Sequence, residues 1–379
     1  MKIGIIGAGH AGVAAAQKAI KYGAEVTLFS EEKFLPYYRP RIASVAFRQT
    51  GENDIFMHQE KWYFDNKIKL ILATKVIRIN TDENSLITEH GESYRFDKII
   101  ITTGAKPIIP SFANALIYQE NISPLWTMQD ALVIRKKIAS AKNIAIVGGG
   151  IIGIESALRA LDAGLDVTII EKASRLMIRN LSPKASYTLT NILKEKGIKL
   201  IMNAAIEKIY EISNGIIIKT NSEEIYAKFV LLSIGSIPNT QIAGLPEAND
   251  GIEIDSRTRT YLPDFFAAGD AALFKSLHFF ASALKANNQG KVAGFNAVRY
   301  DNFVEYKPFA VAVEVKFKEF ELHTIGCAEE DNNKKEEVIE SSATTYRSII
   351  KKNDDILGIH MVGCGKDFIT YKKQLKEEL

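Results

Sequence analysis

The chain has 379 residues, too many for one ordinary domain and enough for two or three. Hydrophobic residues make up 46% and charged residues 25%, the balance of a soluble globular protein, and a formal net charge of +3 without a long basic run argues against nucleic acid as a partner. Only two cysteines are present, Cys327 and Cys364, with no C-x-x-C; this excludes a dithiol motif of that type and suits two reduced thiols in an intracellular protein.

Lys2–Ile6 reads as a short buried strand that runs directly into Gly7-Ala8-Gly9-His10-Ala11-Gly12. A cleaved leader there would destroy the glycine motif. No stretch reaches the roughly 18 apolar residues of a membrane span, so a cytoplasmic protein without a membrane partner is expected. An alanine-rich helix to about Lys21 and a strand, Glu25–Phe29, follow. Ser85–His90 and Ser93–Phe96 flank Gly91 as a hairpin, and the strand Lys98–Thr102 leads into Thr103-Gly104-Ala105-Lys106-Pro107. Pro107–Pro110 marks a crossover.

The same order then returns. Asn143–Val147 is a strand, Gly148-Gly149-Gly150-Ile151-Ile152-Gly153 follows, then a helix to about Ala163 and the strand Asp166–Ile170. Ala205–Ser213 and Ile216–Thr220 flank Asn214-Gly215, a strong hairpin signal. The strand Phe229–Ser233 leads into Gly235-Ser236-Ile237-Pro238-Asn239. From Gly7 to Gly104 is 97 residues and from Gly148 to Gly235 is 87, so the two halves match in order and in spacing. A third signature lies in 241–306: a strand ending in Gly269-Asp270, then helical sequence at Ala281–Val298. From Lys307 the pattern changes to an alternating strand run, Phe309–Phe317, and a charged loop, Glu329–Glu337. This suits a small α+β domain that leans on the rest of the chain.

A G-x-G-x-x-G between strand and helix has a mechanism. The first glycine makes the turn, the second lets a pyrophosphate approach, and the third lets helix and strand pack closely, with the diphosphate at the helix N-terminus. Gly7, Gly9 and Gly12 meet that context, as do Gly148, Gly150 and Gly153. The acid expected about 20 residues on, for ribose hydroxyls, is Glu171 in the second half. A carboxylate there repels a 2′-phosphate and favours NADH over NADPH, with Lys172 and Arg175 close enough in sequence to soften the preference. In the first half that position is Ser30, with Glu31 next. Trp62, Tyr63 and Trp126 read as packing residues, and Cys364, in Gly363-Cys364-Gly365, as a turn residue.

The series GAGHAG, TTGAKP, GGGIIGIE, SIGSIPN and AAGDAA resembles the two-dinucleotide flavoprotein reductases, the FAD-dependent pyridine nucleotide (disulfide) oxidoreductases. The resemblance covers residues 1–306. It implies an α/β fold with two Rossmann-like dinucleotide-binding domains, each with a β-meander, plus a small C-terminal α+β domain. The implied boundaries are 1–108 with 240–306 for FAD, 109–239 for NAD(H) and 307–379 for the C-terminal domain. FAD, tightly but non-covalently bound, is expected on Gly7, Gly9, His10, Ala11, Gly12, Ser30, Glu31, Arg39, Pro40, Val76, Thr103, Gly104, Gly269 and Asp270, with the helix near Ala286–Gly290 approaching the flavin ring. NADH is expected on Gly148, Gly150, Ile151, Ile152, Gly153, Glu155, Glu171 and Gly235. No residue is assigned covalent or acid–base catalysis, and no metal site is read.

Disulfide and peroxide reductases of this type carry cysteine beside the first unit. Here Ser44 stands in that neighbourhood and no cysteine precedes Cys327, so electrons are expected to leave the flavin directly. The segment Leu35-Pro36-Tyr37-Tyr38-Arg39-Pro40-Arg41-Ile42 resembles the clostridial-type NADH:rubredoxin oxidoreductases, with kinship to ferredoxin reductases and the flavin domain of assimilatory nitrite reductases. Several ferredoxin-reductase relatives place a lysine where this chain has Ser44. Lys33, Arg39, Arg41 and Arg48, with no acid between them, suit an acidic carrier such as rubredoxin; the same four residues also suit one FAD-diphosphate arginine beside three solvated charges. The expected activity is NADH-dependent, FAD-mediated electron transfer to such a carrier. The alternatives are an NADH oxidase or a reductase for another acceptor, and a redox sensor of the apoptosis-inducing-factor type. A peripheral quinone reductase would want an apolar tail, and Tyr371–Leu379 is polar. A homodimer is left open.

Overall fold

A computed structural model describes residues 1–111, 121–245, 248–275, 281–299, 301–329 and 331–375. Residues 376–379 of the polar tail, Glu330 of the charged segment, and 246–247 and 276–280 within the third signature lie outside the described residues. The chain forms two compact units. Met1–Arg41, Thr50–Lys106 and Ser236–Pro308 make the first; Ile42–Gln49, Pro107–Gly235 and the chain from Phe309 onward make the second.

The first unit is built on a five-stranded parallel sheet in the order Phe265–Ala267, Lys98–Ile101, Lys2–Ile6, Glu25–Phe29, Ile68–Ile71. Its strands are nearly continuous apolar runs. Ile3, Ile5 and Ile99 to Ile101 are fully buried, as a parallel sheet covered on both faces requires. Lys2–Ile6 pairs with Glu25–Phe29 on one side and Lys98–Ile101 on the other. The strand order therefore reverses at its carboxyl end, where open α/β sheets bind ligands. An antiparallel meander, Val76–Asn80, Ser85–Thr88 and Ser93–Arg95, completes the half.

Two helices of this unit, His10–Lys21 and Ala283–Val298, pack together at very short range. Their shared face is made of small residues. Ala11, Ala15, Ala19, Ala286, Ala293 and Ala297 lie in one buried cluster. A Cβ added at Gly290 would overlap the Ala11 carbonyl, and one at Gly294 the Ala15 carbonyl. Two glycines four apart thus let one backbone rest directly on the other. Trp62 stacks on His58, ring centroids 3.8 Å apart, and Tyr63 is buried in the same core.

The second unit repeats the plan. Its parallel sheet runs Lys199–Ile201, Asp166–Ile170, Asn143–Val147, Phe229–Leu232, Ile122–Pro124. Its meander is Ile206–Ile212, Gly215–Thr220 and Glu224–Ala227. Both meanders carry a register shift at the start of the first strand, between Val76 and Arg78 and between Ile206 and Lys208. The strand Ile122–Pro124 and the helix Met128–Lys137 were not read from the sequence. The helix had a signal: Thr127 accepts from the Asp130 N–H while the Asp130 carboxylate accepts from the Thr127 N–H, a complete capping box.

The small domain is a five-stranded antiparallel sheet, Val313–Phe317, Phe320–Gly326, Asp355–Val362, Tyr346–Lys352, Lys335–Ser341, with a short helix, Phe368–Lys372. The first strand begins at Val313, four residues later than the sequence run Phe309–Phe317. The expected charged loop Glu329–Glu337 ends as strand. Edge strands tolerate charge, and Lys351 donates to Glu337 across the pair at 2.6 Å. Polar bonds tie this sheet to the rest of its unit. Ser182 and Ser348 both donate to Glu336 Oε1 at 2.6 Å, and Thr324 donates to the Asn180 carbonyl at 2.5 Å. Ion pairs Lys318–Asp162 and Arg175–Glu329 add to this.

Gly294→Val tests the helix contact. Overpacking there is expected to cost about 1–3 kcal/mol, read as a lower urea midpoint at unchanged slope, with Gly294→Ala between it and the parent. Equal midpoints for all three proteins would show that the two backbones are free to move apart.

Candidate functional site

Each unit carries the same strand–turn–helix geometry. Gly7 has φ +102° and Gly148 has φ +111°, backbone that favours glycine. A Cβ on Gly12 would overlap the Gly7 carbonyl, and one on Gly153 the Gly148 carbonyl. The adjoining strand adds a hydroxyl in both. Thr102 donates to the carbonyls of Ile6 at 2.9 Å and Gly7 at 2.8 Å; Ser233 donates to those of Val147 at 3.0 Å and Gly148 at 3.3 Å. Sequence reasoning missed this pair, because a hydroxyl at a strand end is too common to stand out.

Gly9 and Gly150 are the N-caps of helices His10–Lys21 and Ile151–Asp162. Neither cap has a side-chain acceptor, and neither first turn has an acidic residue. A Cβ at either glycine would meet only open space. The free N–H groups at both helix starts are thus accessible to an outside acceptor, and the helix dipole favours an anion there. Ala11 lies in the first turn of its helix, buried; Ile151 and Ile152 open the second, with Ile152 exposed.

After the second strand the halves diverge in chemistry while keeping the backbone. Glu171 accepts from the Gly149 N–H at 2.5 Å and the Ala173 N–H at 2.7 Å, so its carboxylate is pinned beside the glycine turn. Ser30 holds the matching position, and its hydroxyl accepts from the Glu32 N–H at 3.3 Å. Glu31 is exposed and pairs with Lys75 at 3.7 Å. Glu32, not singled out from the sequence, takes Arg39 at 2.7 Å and the Tyr37 hydroxyl at 2.8 Å. Thr74 N–H donates to the Ser30 carbonyl at 2.8 Å, which brings the chain leading to Val76 alongside this turn. Pro40 is exposed beside Arg39.

The third signature closes the first cradle. Gly269 has φ +80° and donates its N–H to Gln289 Oε1 at 2.9 Å. Asp270 accepts from the Ser282 N–H at 3.2 Å, at the start of helix Ala283–Val298. Burial raises the Asp270 carboxyl above its usual range, against the pull of Lys285 and Arg39. Gln289 is fully buried, and its Nε2 has no partner. Thr103 donates to the Asn239 carbonyl at 2.5 Å, and Gly104, at φ +71°, accepts from the Asn239 N–H at 2.9 Å.

In the second unit, Glu155 accepts from Arg159 at 2.7 and 3.1 Å, and that guanidinium also meets Gln49 and lies over the Phe317 ring. Gly235, at φ +111°, accepts from the Ile108 N–H at 3.0 Å. Ser44 is buried in the helix Ile42–Ala46. Cys327 and Cys364 are free thiols of the small domain. Among the described residues no group of His, Cys, Asp or Glu is placed to hold a metal ion, and no helix is long and apolar enough to cross a membrane.

His10 opens the first fingerprint helix beside Tyr38, ring centroids 5.9 Å apart. Burial, then the Arg39 charge, lowers its pKa from 6.5 to about 4. Burial does the same to His360, also to about 4. Such an imidazole takes a proton more readily in the unfolded chain. Its contribution to stability is full above pH 6.5 and is lost as pH falls towards 4. The urea midpoint is therefore expected to fall between pH 7 and 5, and His10→Gln to make that slope shallower, with His360 and His58 carrying the remainder. An unchanged slope in His10→Gln would mean that His10 is not held neutral.

Residues 1–290 match the family model described as pyridine nucleotide-disulphide oxidoreductase. The rubredoxin-NAD(+) reductase of Pseudomonas putida is 31% identical over 287 residues, 74% of this chain and 74% of that protein. The NADH-rubredoxin oxidoreductase of Clostridium acetobutylicum is 30% identical over 308 residues, 79% of this chain and 75% of that protein. The crystal structure of a ferredoxin reductase from Rhodopseudomonas palustris is 25% identical with a TM-score of 0.87, covering 98% of this chain and 93% of that one. The chain belongs to the pyridine nucleotide-disulphide oxidoreductase family.

Proposed function

We propose that this protein is an NADH-dependent flavoprotein reductase that passes electrons to a small iron carrier of the rubredoxin or ferredoxin kind. The carrying observation is the duplicated cradle: two uncapped helix N-termini, each approached through glycines with open space above them. One cradle would serve one dinucleotide, and a reductase linking a nicotinamide to a flavin needs two. The names of the relatives, which pair NAD with rubredoxin or ferredoxin, support the acceptor class.

FAD is assigned to the first unit. Gly7, Gly9, His10, Ala11 and Gly12 would hold its diphosphate at the helix start, with Arg39 supplying a cation. Ser30, Glu31 and Val76 would flank its adenosine end, and Pro40, Thr103, Gly104, Gly269 and Asp270 would lie along the rest of the cofactor. The structure fits such a group: Gln289 Nε2 is a buried donor without an acceptor, and Asp270 is a buried carboxyl beside a helix start. NADH is assigned to Gly148, Gly150, Ile151, Ile152, Gly153, Glu155, Glu171 and Gly235. A bound flavin accepts two electrons together and gives them up singly, which couples a nicotinamide to a one-electron iron centre. The chain's own work is to bind, orient and exclude water. With no cysteine before Cys327, no thiol relays the electrons, and the protein works in the cytoplasm.

Anaerobic stopped-flow tests the acceptor. The purified flavoprotein is reduced with NADH, then mixed with oxidised rubredoxin or with aerated buffer. Fast reoxidation by rubredoxin and slow reoxidation by air is the expected result. Fast reaction with air alone would make it an oxidase, and fast reaction with neither would end the carrier reading.

Glu171 tests the nicotinamide assignment. A pinned carboxylate accepts from a free 2′-hydroxyl and repels a 2′-phosphate. Glu171→Arg is expected to lower kcat/KM for NADH by roughly ten- to a hundredfold, the scale of one charge-assisted hydrogen bond, and to raise it for NADPH. A ratio of the two that does not move would place the 2′ position elsewhere.

A further inference from the structure

Lys285 is an unusual residue for its place. It is the third residue of the 16-residue helix Ala283–Val298, whose cap is Ser282, and that first turn holds no acid. A cation at a helix N-terminus is opposed by the helix dipole. Lys285 is also half-buried, and burial lowers its hold on the proton while Asp270 raises it. Among the described residues its ammonium makes no hydrogen bond or ion pair. The counter-charge that acts on it is the buried Asp270 carboxylate, which is not within ion-pair distance.

A second observation stands one turn further along the same face. Gln289 follows Lys285 by four residues, so the two lie on one side of the helix. Gln289 is fully buried, its Oε1 fixed on the Gly269 N–H and its Nε2 without an acceptor. Asp270 ties the Gly-Asp turn to the helix start through the Ser282 N–H. The group that this corner receives must therefore accept hydrogen bonds and tolerate a net positive surrounding. Arg39 and Lys285 both act on the Asp270 carboxylate. One anion faces two cations, beyond the positive end of the helix itself.

We propose that Lys285 makes this helix start a site for the negative charge that a flavin acquires on reduction. The proposal rests on the reading that the first unit holds FAD. Taking up two electrons and one proton leaves the flavin with one net negative charge. The Arg39 guanidinium and the first fingerprint helix would face the diphosphate, and Lys285 with the helix Ala283–Val298 would face the ring. A fixed cation at the point where charge develops stabilises it most where water is excluded. Lys285 thus sets how readily the flavin is reduced and leaves its retention to the glycine cradle.

The test uses the purified holoprotein as wild type, Lys285→Met and Lys285→Arg. Visible absorption first gives the FAD-to-protein ratio. Sulfite is then titrated, because it adds to an oxidised flavin, bleaches it and leaves the same negative charge on the ring. The sulfite dissociation constant is expected to rise at least tenfold in Lys285→Met and to stay near wild type in Lys285→Arg. Dye equilibration should show the two-electron potential of Lys285→Met falling by about 30 mV for each tenfold change. A yellow Lys285→Met with unchanged sulfite affinity and potential overturns the proposal. So does a Lys285→Met that loses FAD while whatever flavin remains keeps the wild-type potential, since Lys285 would then be a diphosphate ligand. A wild type that neither carries nor takes up FAD removes the flavin reading itself, a result that the FAD ratio separates from the other two.

Discussion

The rest of the structure depends on how closely a helix start can approach a strand end. In each half the third fingerprint glycine lies against the carbonyl of the first, and a hydroxyl from the neighbouring strand donates to that same carbonyl. The carbonyl faces inward and is satisfied, so the helix can begin close to the sheet with its first N–H groups pointing outward. A side chain on Gly12 or Gly153 would push the helix away, and the N-terminus would lose its place at the switch point of the sheet. In the first unit a second close approach, through Gly290 and Gly294, lays another helix on the first. Its own start then forms a wall with the Gly-Asp turn. Both helix starts are positioned by backbone packed on backbone, which gives the cradle its definition without large side chains.

Most of this framework was legible because the duplication could be seen twice. Glycine spacing, apolar strands and hairpins marked by a glycine each recur, and the parallel strands are buried on both faces, so their residues cannot be mistaken for surface. What escaped reading was short or chemically ordinary. Ile122–Pro124 is three residues long, and its role is set by pairing with Phe229–Leu232, which no local signal reveals. The segment Glu329–Glu337 reads as a loop by charge, yet its end belongs to the edge strand Lys335–Ser341, and edge strands accept charges that interior strands reject. Gln289 was inside the stretch Ala286–Gly290 already marked as important and Lys285 stood just before it, but a polar residue on a helix reveals its meaning only once burial is known.

The two halves also show how one backbone carries two chemistries. Ser30 and Glu171 occupy matching positions, each followed by the same pair of backbone bonds to the next crossover: Thr74 and Ala204 donate to their carbonyls. In the second half the carboxylate sits directly at the turn, held by two N–H groups. In the first half the acid has moved on by two residues to Glu32, where it is engaged by Arg39 and Tyr37. A carboxylate pinned against the glycine turn lies where the proposed NADH ribose would be read. A carboxylate holding an arginine instead sets the direction of a cation. Sequence spacing located both positions and could not tell these roles apart, because the difference lies in which neighbour each acid finds.

The same pairing changes how the basic stretch Lys33–Arg48 should be counted. Four cations in sixteen residues suggest a patch. Arg39 is half-buried and held by Glu32, and Arg41 and Arg48, though exposed, are bonded to the carbonyls of Asp54 and Arg135. Arg48 belongs to the second unit and Arg39 to the first. Lys33 and Arg41 are exposed on the first unit and Arg48 on the second, so the four cations do not form one uniform strip. Carbonyl anchoring leaves their charge in place while limiting side-chain motion, which lowers the entropy lost on docking. Charge of that kind governs how fast a partner arrives more than how tightly it stays.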